Sequence, residues 1–129
     1  SVDEVSYRMG NSLFLGDAIP VKGDIPIYIN VCDELSTLQK IRDLNGICNY
    51  YPAWDQTYSA SDINKKIDDA EHIIRTLDEQ VQIILEDEKT TDITVITNRV
   101  CERLKMPYLK ENPMFKKTIL AHCYNYGWK

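Results

Sequence analysis

Glycine and histidine are scarce in this sequence, which has five glycines and two histidines among its 129 residues. The glycines do not have the spacing of a phosphate-binding loop, and no serine lies in the glycine-flanked turn of a nucleophile elbow. No apolar run approaches the roughly 20 residues that a membrane-spanning helix needs. These absences exclude the common nucleotide-binding and elbow-hydrolase motifs, and they predict that the partners include no membrane.

Closely spaced metal ligands are also absent. Structural zinc sites are usually built from pairs of cysteines or histidines that are close in sequence, whereas Cys32, Cys48, Cys101 and Cys123 lie far apart. These cysteines lie in apolar stretches of a chain that is long enough to form a core without disulfides. We therefore expect reduced core cysteines in an intracellular, cytoplasmic protein that has no metal and no cofactor.

The composition is typical of one globular domain. Hydrophobic residues make up 43% of the chain and charged residues 27%, which are average values for a folded protein. We expect residues 1–129 to form a single domain with a β-rich part, 1–30, and a helical part, 31–129. The acidic residues at the start do not resemble a signal peptide. The richness in Ile, Asn, Asp and Tyr would suit an AT-rich genome, including those of many viruses and phages.

Short strands are predicted within the first 30 residues. Residues 4–8 alternate between polar and apolar types, and apolar runs follow at 13–15, 18–21 and 25–29 with glycine-containing turns between them. This pattern indicates a small antiparallel β-meander. Two prolines interrupt the later runs and cannot donate to a β-ladder, so those strands should be irregular or lie at edges.

The strongest pattern predicts one long helix over residues 61–88, with a length of about 40 Å at about 1.5 Å per residue. Ser59 and Asp62 have the spacing of a capping box, in which each side chain satisfies a backbone amide of the other residue. Apolar residues then recur at alternating intervals of four and three, which is a heptad register. The register contains Ile63, Ile67, Ala70, Ile74, Leu77, Val81 and Ile84.

Three further helices are predicted from the residues at their ends. Asn30, Asp92 and Asn112 can each cap a helix, and Pro113 suits the first position of the last one. The segment after Asp92 contains β-prone threonines, but its apolar spacing favours a helix. The predicted fold is therefore α+β and mainly helical, with a small N-terminal antiparallel β-meander packed on about four helices.

The heptad register has two interpretations, which both remain open. In the first, the register is an interaction seam through which the chain self-associates as a coiled coil. In the second, it is the core face of a helix within one chain, because three heptads are the minimum for a coiled coil and neighbouring isoleucines widen the apolar face. The seam residues are Ile67, Ile74, Leu77, Val81 and Ile84.

Charge is unevenly distributed along the chain. Residues 1–91 carry 8 Lys and Arg against 17 Asp and Glu, while residues 92–129 carry 7 against 3, so the net charges are −9 and +4. The two parts could simply attract each other, or the basic part could bind phosphates. The overall acidity argues against a nucleic-acid partner. The candidate phosphate-binding residues are Arg99, Arg103, Lys105, Lys110, Lys116 and Lys117.

Residues 48–58 are predicted to form an aromatic loop that contains Tyr50, Tyr51, Trp54 and Tyr58. Aromatic side chains with polar groups are favoured at binding hot spots. The same side chains could instead pin the loop onto the core, which is the commoner arrangement.

The leading hypothesis is a non-enzymatic interaction or assembly module that binds a protein partner or a second copy through the seam, the aromatic loop or both. A nucleic-acid-binding accessory protein is the alternative. A small hydrolase or nuclease that uses the abundant carboxylates is the third hypothesis, although carboxylates on helices more often form solvated faces. No catalytic residue is predicted.

Overall fold

The computed structural model describes residues 7–16, 19–20, 26–52 and 56–128. In these ranges, strands β1 to β4 span Tyr7–Met9, Ser12–Gly16, Asn49–Pro52 and Tyr58–Ser59. Helices α1 to α4 span Val31–Asp43, Ile63–Glu88, Ile93–Arg103 and Pro113–Asn125, and a 3-10 helix spans Pro107–Leu109. The predicted fold class, a mainly helical α+β protein with a small sheet and one long helix, is confirmed. The assignment of residues 1–129 to a single domain stays a prediction.

The sheet differs in detail from the predicted meander. Strands β1 and β2 pair antiparallel, as expected, but β2 pairs parallel with β3, and β3 pairs antiparallel with β4. Strands β3 and β4 come from the predicted aromatic loop, while Ile19, Pro20 and residues 26–29 are not in strands. The parallel pairing is possible because α1 lies between β2 and β3 in the chain and provides the crossover that parallel strands need.

Residues 26–29 dock on α4 instead of pairing in the sheet. The Thr118 hydroxyl donates to the Pro26 carbonyl at 2.6 Å and accepts from the Tyr28 amide at 3.4 Å. Thr118 is fully buried, so these bonds satisfy backbone groups that a strand partner would otherwise have to satisfy. The predicted strand at this position is therefore wrong for residues 26–29.

Three of the predicted helix starts are confirmed with their capping bonds. The side chains of Asn30, Asp92 and Asn112 accept from backbone amides in the first turns of α1, α3 and α4. Helix α2 starts at Ile63, and the predicted capping box forms only in part. The Asp62 carboxylate accepts hydrogen bonds from the amide and the hydroxyl of Ser59. As the residue that precedes α2, however, Asp62 makes no side-chain bond to cap the helix. Asp62 therefore stabilises the turn before the helix.

The core is built around α2, which packs against α1, α3 and α4. One cluster of buried side chains extends from Leu13 on β2 to Cys123 on α4. All seven residues of the heptad register belong to this cluster and are at most 5% exposed. Ile73 and Leu85 pack against it from the side, which gives the wide apolar face of a core helix.

The end of α3 places a lysine in a backbone conformation that suits glycine. Lys105 has φ +57°, the Lys105 amide donates to the Glu102 carbonyl at 3.3 Å, and the Met106 amide donates to the Cys101 carbonyl at 2.8 Å. These two bonds form a Schellman motif, whose left-handed position is usually glycine.

We expect Lys105→Gly to raise the free energy of unfolding by about 1 kcal/mol, because an L-residue in the left-handed region costs about that much. Urea denaturation followed by circular dichroism measures the change. Lys105→Ala is the control, since it removes the same side chain but keeps the strain. Equal stabilisation by both variants would show that backbone strain is not the cause.

Candidate functional site

The five seam residues lie in the interior of the chain. Their side chains are between 0% and 3% exposed and belong to the core cluster, so in this fold they offer no surface to a second molecule. The structure thus gives these residues the role of core packing, one of the two interpretations left open by the sequence. Self-association through residues 61–88 stays a prediction, and it would require outward-facing side chains of α2.

The aromatic residues of 48–58 divide between the two faces of the sheet. Tyr50 and Tyr58 are 3% and 1% exposed and belong to the core, and the Lys66 ammonium lies 5.0 Å from the centre of the Tyr58 ring. Tyr51 is 37% exposed on the other face, because successive side chains of a strand alternate. Trp54 lies outside the described residues. Only Tyr51 of the three described aromatics therefore presents a ring to solvent.

The ring of Tyr51 stacks on a second exposed ring, that of Phe14. The ring centres are 5.0 Å apart and the planes differ by 19°. Phe14 and Tyr51 are directly opposite each other in the β2–β3 register, so the side chains share one face. Phe14 was not a predicted site residue. The sequence carries no signal for its exposure, because it lies between two leucines in an apolar run.

These two rings lie on a face of the sheet whose described side chains are uncharged. Cross-strand pairing places Met9 opposite Ser12, Ser12 opposite Asn49, and Asn49 opposite Ser59. We define the outer sheet face as the described side chains on this side of the sheet, which are Met9, Ser12, Phe14, Asn49, Tyr51 and Ser59. Met9 is 69% exposed and Phe14 41%. The described side chains of this face are therefore uncharged, although the Asp62 carboxylate lies 2.8 Å from the Ser59 hydroxyl at its edge.

The predicted basic surface is partly occupied by contacts within the chain. Arg99 contacts Glu88 at 2.8 Å and Glu102 at 3.1 Å, and Lys110 contacts the same Glu102 at 3.1 Å. Hydrogen bonds from Lys110 and Arg99 lower the pKa of the Glu102 carboxyl, which keeps it charged. The Arg103 guanidinium donates to the Gln80 side chain. Half of the predicted residues are thus engaged within the chain.

The remaining basic residues are Lys105, Lys116 and Lys117. They form no ion pair with another residue in the described ranges, and Lys105 and Lys117 are exposed. The surface available to phosphates is therefore smaller than the sequence predicts.

A buried polar network links α2, α4 and Tyr28. The Tyr28 hydroxyl and His122 Nε2 are 2.5 Å apart, and His122 Nδ1 is 2.8 Å from the Asp78 carboxylate. That carboxylate also accepts from Asn125 at 3.3 Å and from the Tyr126 hydroxyl at 2.7 Å. Tyr28 is 1% exposed and His122 is fully buried. Sequence reasoning did not identify this network.

The proton positions in the network follow from the burial of its members. Burial, followed by the charges of Glu34 and Asp78, raises the pKa of Tyr28 well above its ordinary value, so its hydroxyl keeps its proton. Tyr28 therefore donates to His122 Nε2, and Nδ1 carries the proton that is donated to Asp78. Burial also lowers the pKa of His122, against the opposing effect of Asp78, which favours the neutral imidazole.

The network has the order of a nucleophile, a base and a carboxylate, but it is closed to solvent at its first two members. A reactant cannot reach the Tyr28 hydroxyl without opening the core, so we assign the network a structural role. It connects residue 28 to α4 and α4 to α2. Within the described ranges, no group of three or more His, Cys, Asp or Glu side chains is placed to hold a metal ion.

The cysteines depart partly from expectation. All four are free thiols, and Cys101 and Cys123 are buried as predicted. Cys32 and Cys48 are exposed, so the prediction of core cysteines is wrong for these two. Cys32 lies in the first turn of α1 and Cys48 precedes β3, and both point away from the core.

No protein-family model matches the chain, and neither a curated protein nor a solved structure is significantly similar to it. Helices long and apolar enough to cross a membrane are absent from the part of the chain that the structure describes.

The buried histidine predicts a specific dependence of stability on pH. The pKa of a histidine in an unfolded chain is about 6.5. In the folded chain burial lowers the pKa of His122, so this residue takes up its proton only at lower pH. The unfolded state therefore binds more protons below about pH 6.5, and stability falls as the pH drops, by at most about 1.4 kcal/mol per pH unit.

We expect His122→Asn to remove most of this slope between about pH 7 and about pH 5.5 in urea denaturation. His72→Asn is the matched control, because His72 is exposed on α2. A slope that survives in His122→Asn, or that disappears in His72→Asn, would contradict the assignment.

Proposed function

We propose that the chain is a non-enzymatic interaction module that self-associates through the outer sheet face. The observation that supports this proposal is the stacked and exposed pair of Phe14 and Tyr51 on an uncharged surface. Aromatic side chains are enriched at the centres of interfaces, where they bury large areas at a low cost in side-chain entropy. Met9 extends the apolar area beside them.

A second copy of the chain is the partner that the charges favour. The net charge is −5, so two copies repel each other wherever charged surfaces meet. The described side chains of the outer sheet face are uncharged, and the carboxylate of Asp62 reaches only its edge at Ser59, so two such faces can meet around their rings with few like-charge contacts. A two-fold axis would place the stacked rings of one copy against those of the other.

The alternative from the sequence, a nucleic-acid-binding accessory protein, has less support. It would depend on Arg103, Lys105, Lys116 and Lys117, since Glu88 and Glu102 together offset the charges of Arg99 and Lys110. Titration with labelled DNA and RNA at two salt concentrations tests it, because phosphate contacts weaken steeply with salt. Binding that is absent even at low salt would end this alternative. The third hypothesis, a small hydrolase or nuclease, gains no support from the closed Tyr28–His122–Asp78 network.

The test of self-association is the molar mass in solution, measured by light scattering behind a sizing column over a range of protein concentrations. We expect a dimer that dissociates towards the 15.0 kDa monomer on dilution. Phe14→Glu should raise the dissociation constant at least about tenfold, because a two-fold axis brings two added charges to the centre of the interface.

Two further variants control this experiment. Ser12→Glu places a charge on the same face but leaves both rings in position, so it should also weaken the dimer without removing the ring that Phe14→Glu removes. Tyr108→Glu adds the same charge at a tyrosine that is 64% exposed on the 3-10 helix, and it should dimerise like the unmodified chain. A monomer at every concentration, a dimer that neither Phe14→Glu nor Ser12→Glu weakens, or equal weakening by Tyr108→Glu would refute the proposal.

A further inference from the structure

A cleft with a volume of about 350 Å³ lies where the end of α2 meets the C-terminal tail. Its walls include Leu85 and the rings of Tyr126 and Trp128, and its polar groups include Gln82, Glu86 and Lys89. Sites for small ligands begin at about 300 Å³, so this cleft is near the lower end of their range. It suits a single side chain better than a large ligand.

The tail that forms one wall is fixed by its own backbone. The Trp128 amide donates to the Cys123 carbonyl at 3.2 Å and the Gly127 amide to the Tyr124 carbonyl at 3.1 Å, which is a Schellman motif. Gly127 has φ +94°, a conformation that favours glycine. This motif turns Trp128 back towards α2, where it packs against the core cluster.

The second ring is fixed by hydrogen bonds. The Tyr126 hydroxyl lies 2.7 Å from the Asp78 carboxylate and 3.1 Å from the Gln82 side-chain oxygen. These bonds connect the cleft wall to the buried network of His122, so the ring is held without a ligand. A cleft with preformed walls binds at a lower entropic cost than one that must assemble.

The charge around the cleft favours a cationic ligand. The last turn of α2 carries Glu86, Asp87 and Glu88 and no basic residue, although the carboxyl end of a helix already bears a partial negative charge. Arg99 pairs with Glu88. Glu86 is exposed and lines the cleft, and its one hydrogen bond among the described residues is a long one from Gln82, at 3.4 Å. Lys89 at the rim compensates one of these charges.

We propose that this cleft binds the guanidinium side chain of an arginine presented by a partner peptide. A guanidinium is planar and stacks on aromatic rings such as those of Tyr126 and Trp128, while its several N–H groups can bond acceptors together. Glu86 and Gln82 supply those acceptors at one wall. The rings and the acceptors thus recognise both the flat shape and the charge of the group.

The probe is a short acetylated and amidated peptide with one arginine between glycines. A matched peptide with citrulline keeps the planar shape of the side-chain end group but removes its charge. A lysine peptide keeps the charge but has no planar group. Binding is followed through the indole N–H signal of Trp128 in ¹⁵N-labelled protein. Trp54→Phe distinguishes this signal from that of the other tryptophan.

We expect a saturable shift of the Trp128 signal with the arginine peptide, with a dissociation constant of about 1 mM or below. The lysine peptide should bind more weakly, and the citrulline peptide should not bind measurably. Glu86→Gln should weaken binding about threefold to fivefold, which is the usual effect of one exposed ion pair. Lys89→Gln should tighten it, because it removes a like charge from the rim.

Glu79→Gln is the matched control, since Glu79 is exposed on α2 but does not line the cleft. Three results would overturn the proposal: no shift at about 10 mM peptide, equal binding of the citrulline peptide, or equal weakening by Glu79→Gln and Glu86→Gln. None of them bears on the outer sheet face, because the cleft and that face share no residue.

Discussion

The apolar face of α2 is the constraint on which the rest of the fold depends. At about 1.5 Å per residue its 26 residues extend for about 39 Å, which is longer than any other described helix can cover. Helices α1 and α4 therefore pack along different halves of α2. Arg42 at the end of α1 reaches Asp68 and Glu71 in its first half, while His122 of α4 bonds Asp78 in its second half.

The predictable parts of the fold are those with local physical causes. The caps Asn30, Asp92 and Asn112 bond amides two or three residues away, so both partners can be seen in the sequence. The heptad register of α2 is also local, and it predicted correctly which face of the helix is apolar. The sequence could not show what covers that face, because a core helix and a coiled-coil helix need the same spacing.

The parts that were not predicted depend on partners far away in sequence. Strand β3 pairs with β2 across the whole of α1, and Thr118 satisfies the backbone near Pro26 from 92 residues away. The candidate sites have the same origin. Tyr28 and His122 are 94 residues apart, and neither has a neighbour in sequence that indicates the bond. Phe14 becomes a surface residue only once the register with Tyr51 is known.

The uneven charge of the chain is partly resolved inside the fold. The basic segment after residue 92 sends Arg99 to Glu88 of α2, and its own Glu102 holds Arg99 and Lys110. Two of the six candidate phosphate-binding residues are thus paired with carboxylates of the same chain. Among the described residues, the surfaces left for a partner are the outer sheet face, the acidic end of α2 and exposed basic side chains such as Lys105 and Lys117. We propose a protein partner for the first two surfaces, because a polyanion gains nothing from uncharged side chains and is repelled by acidic ones.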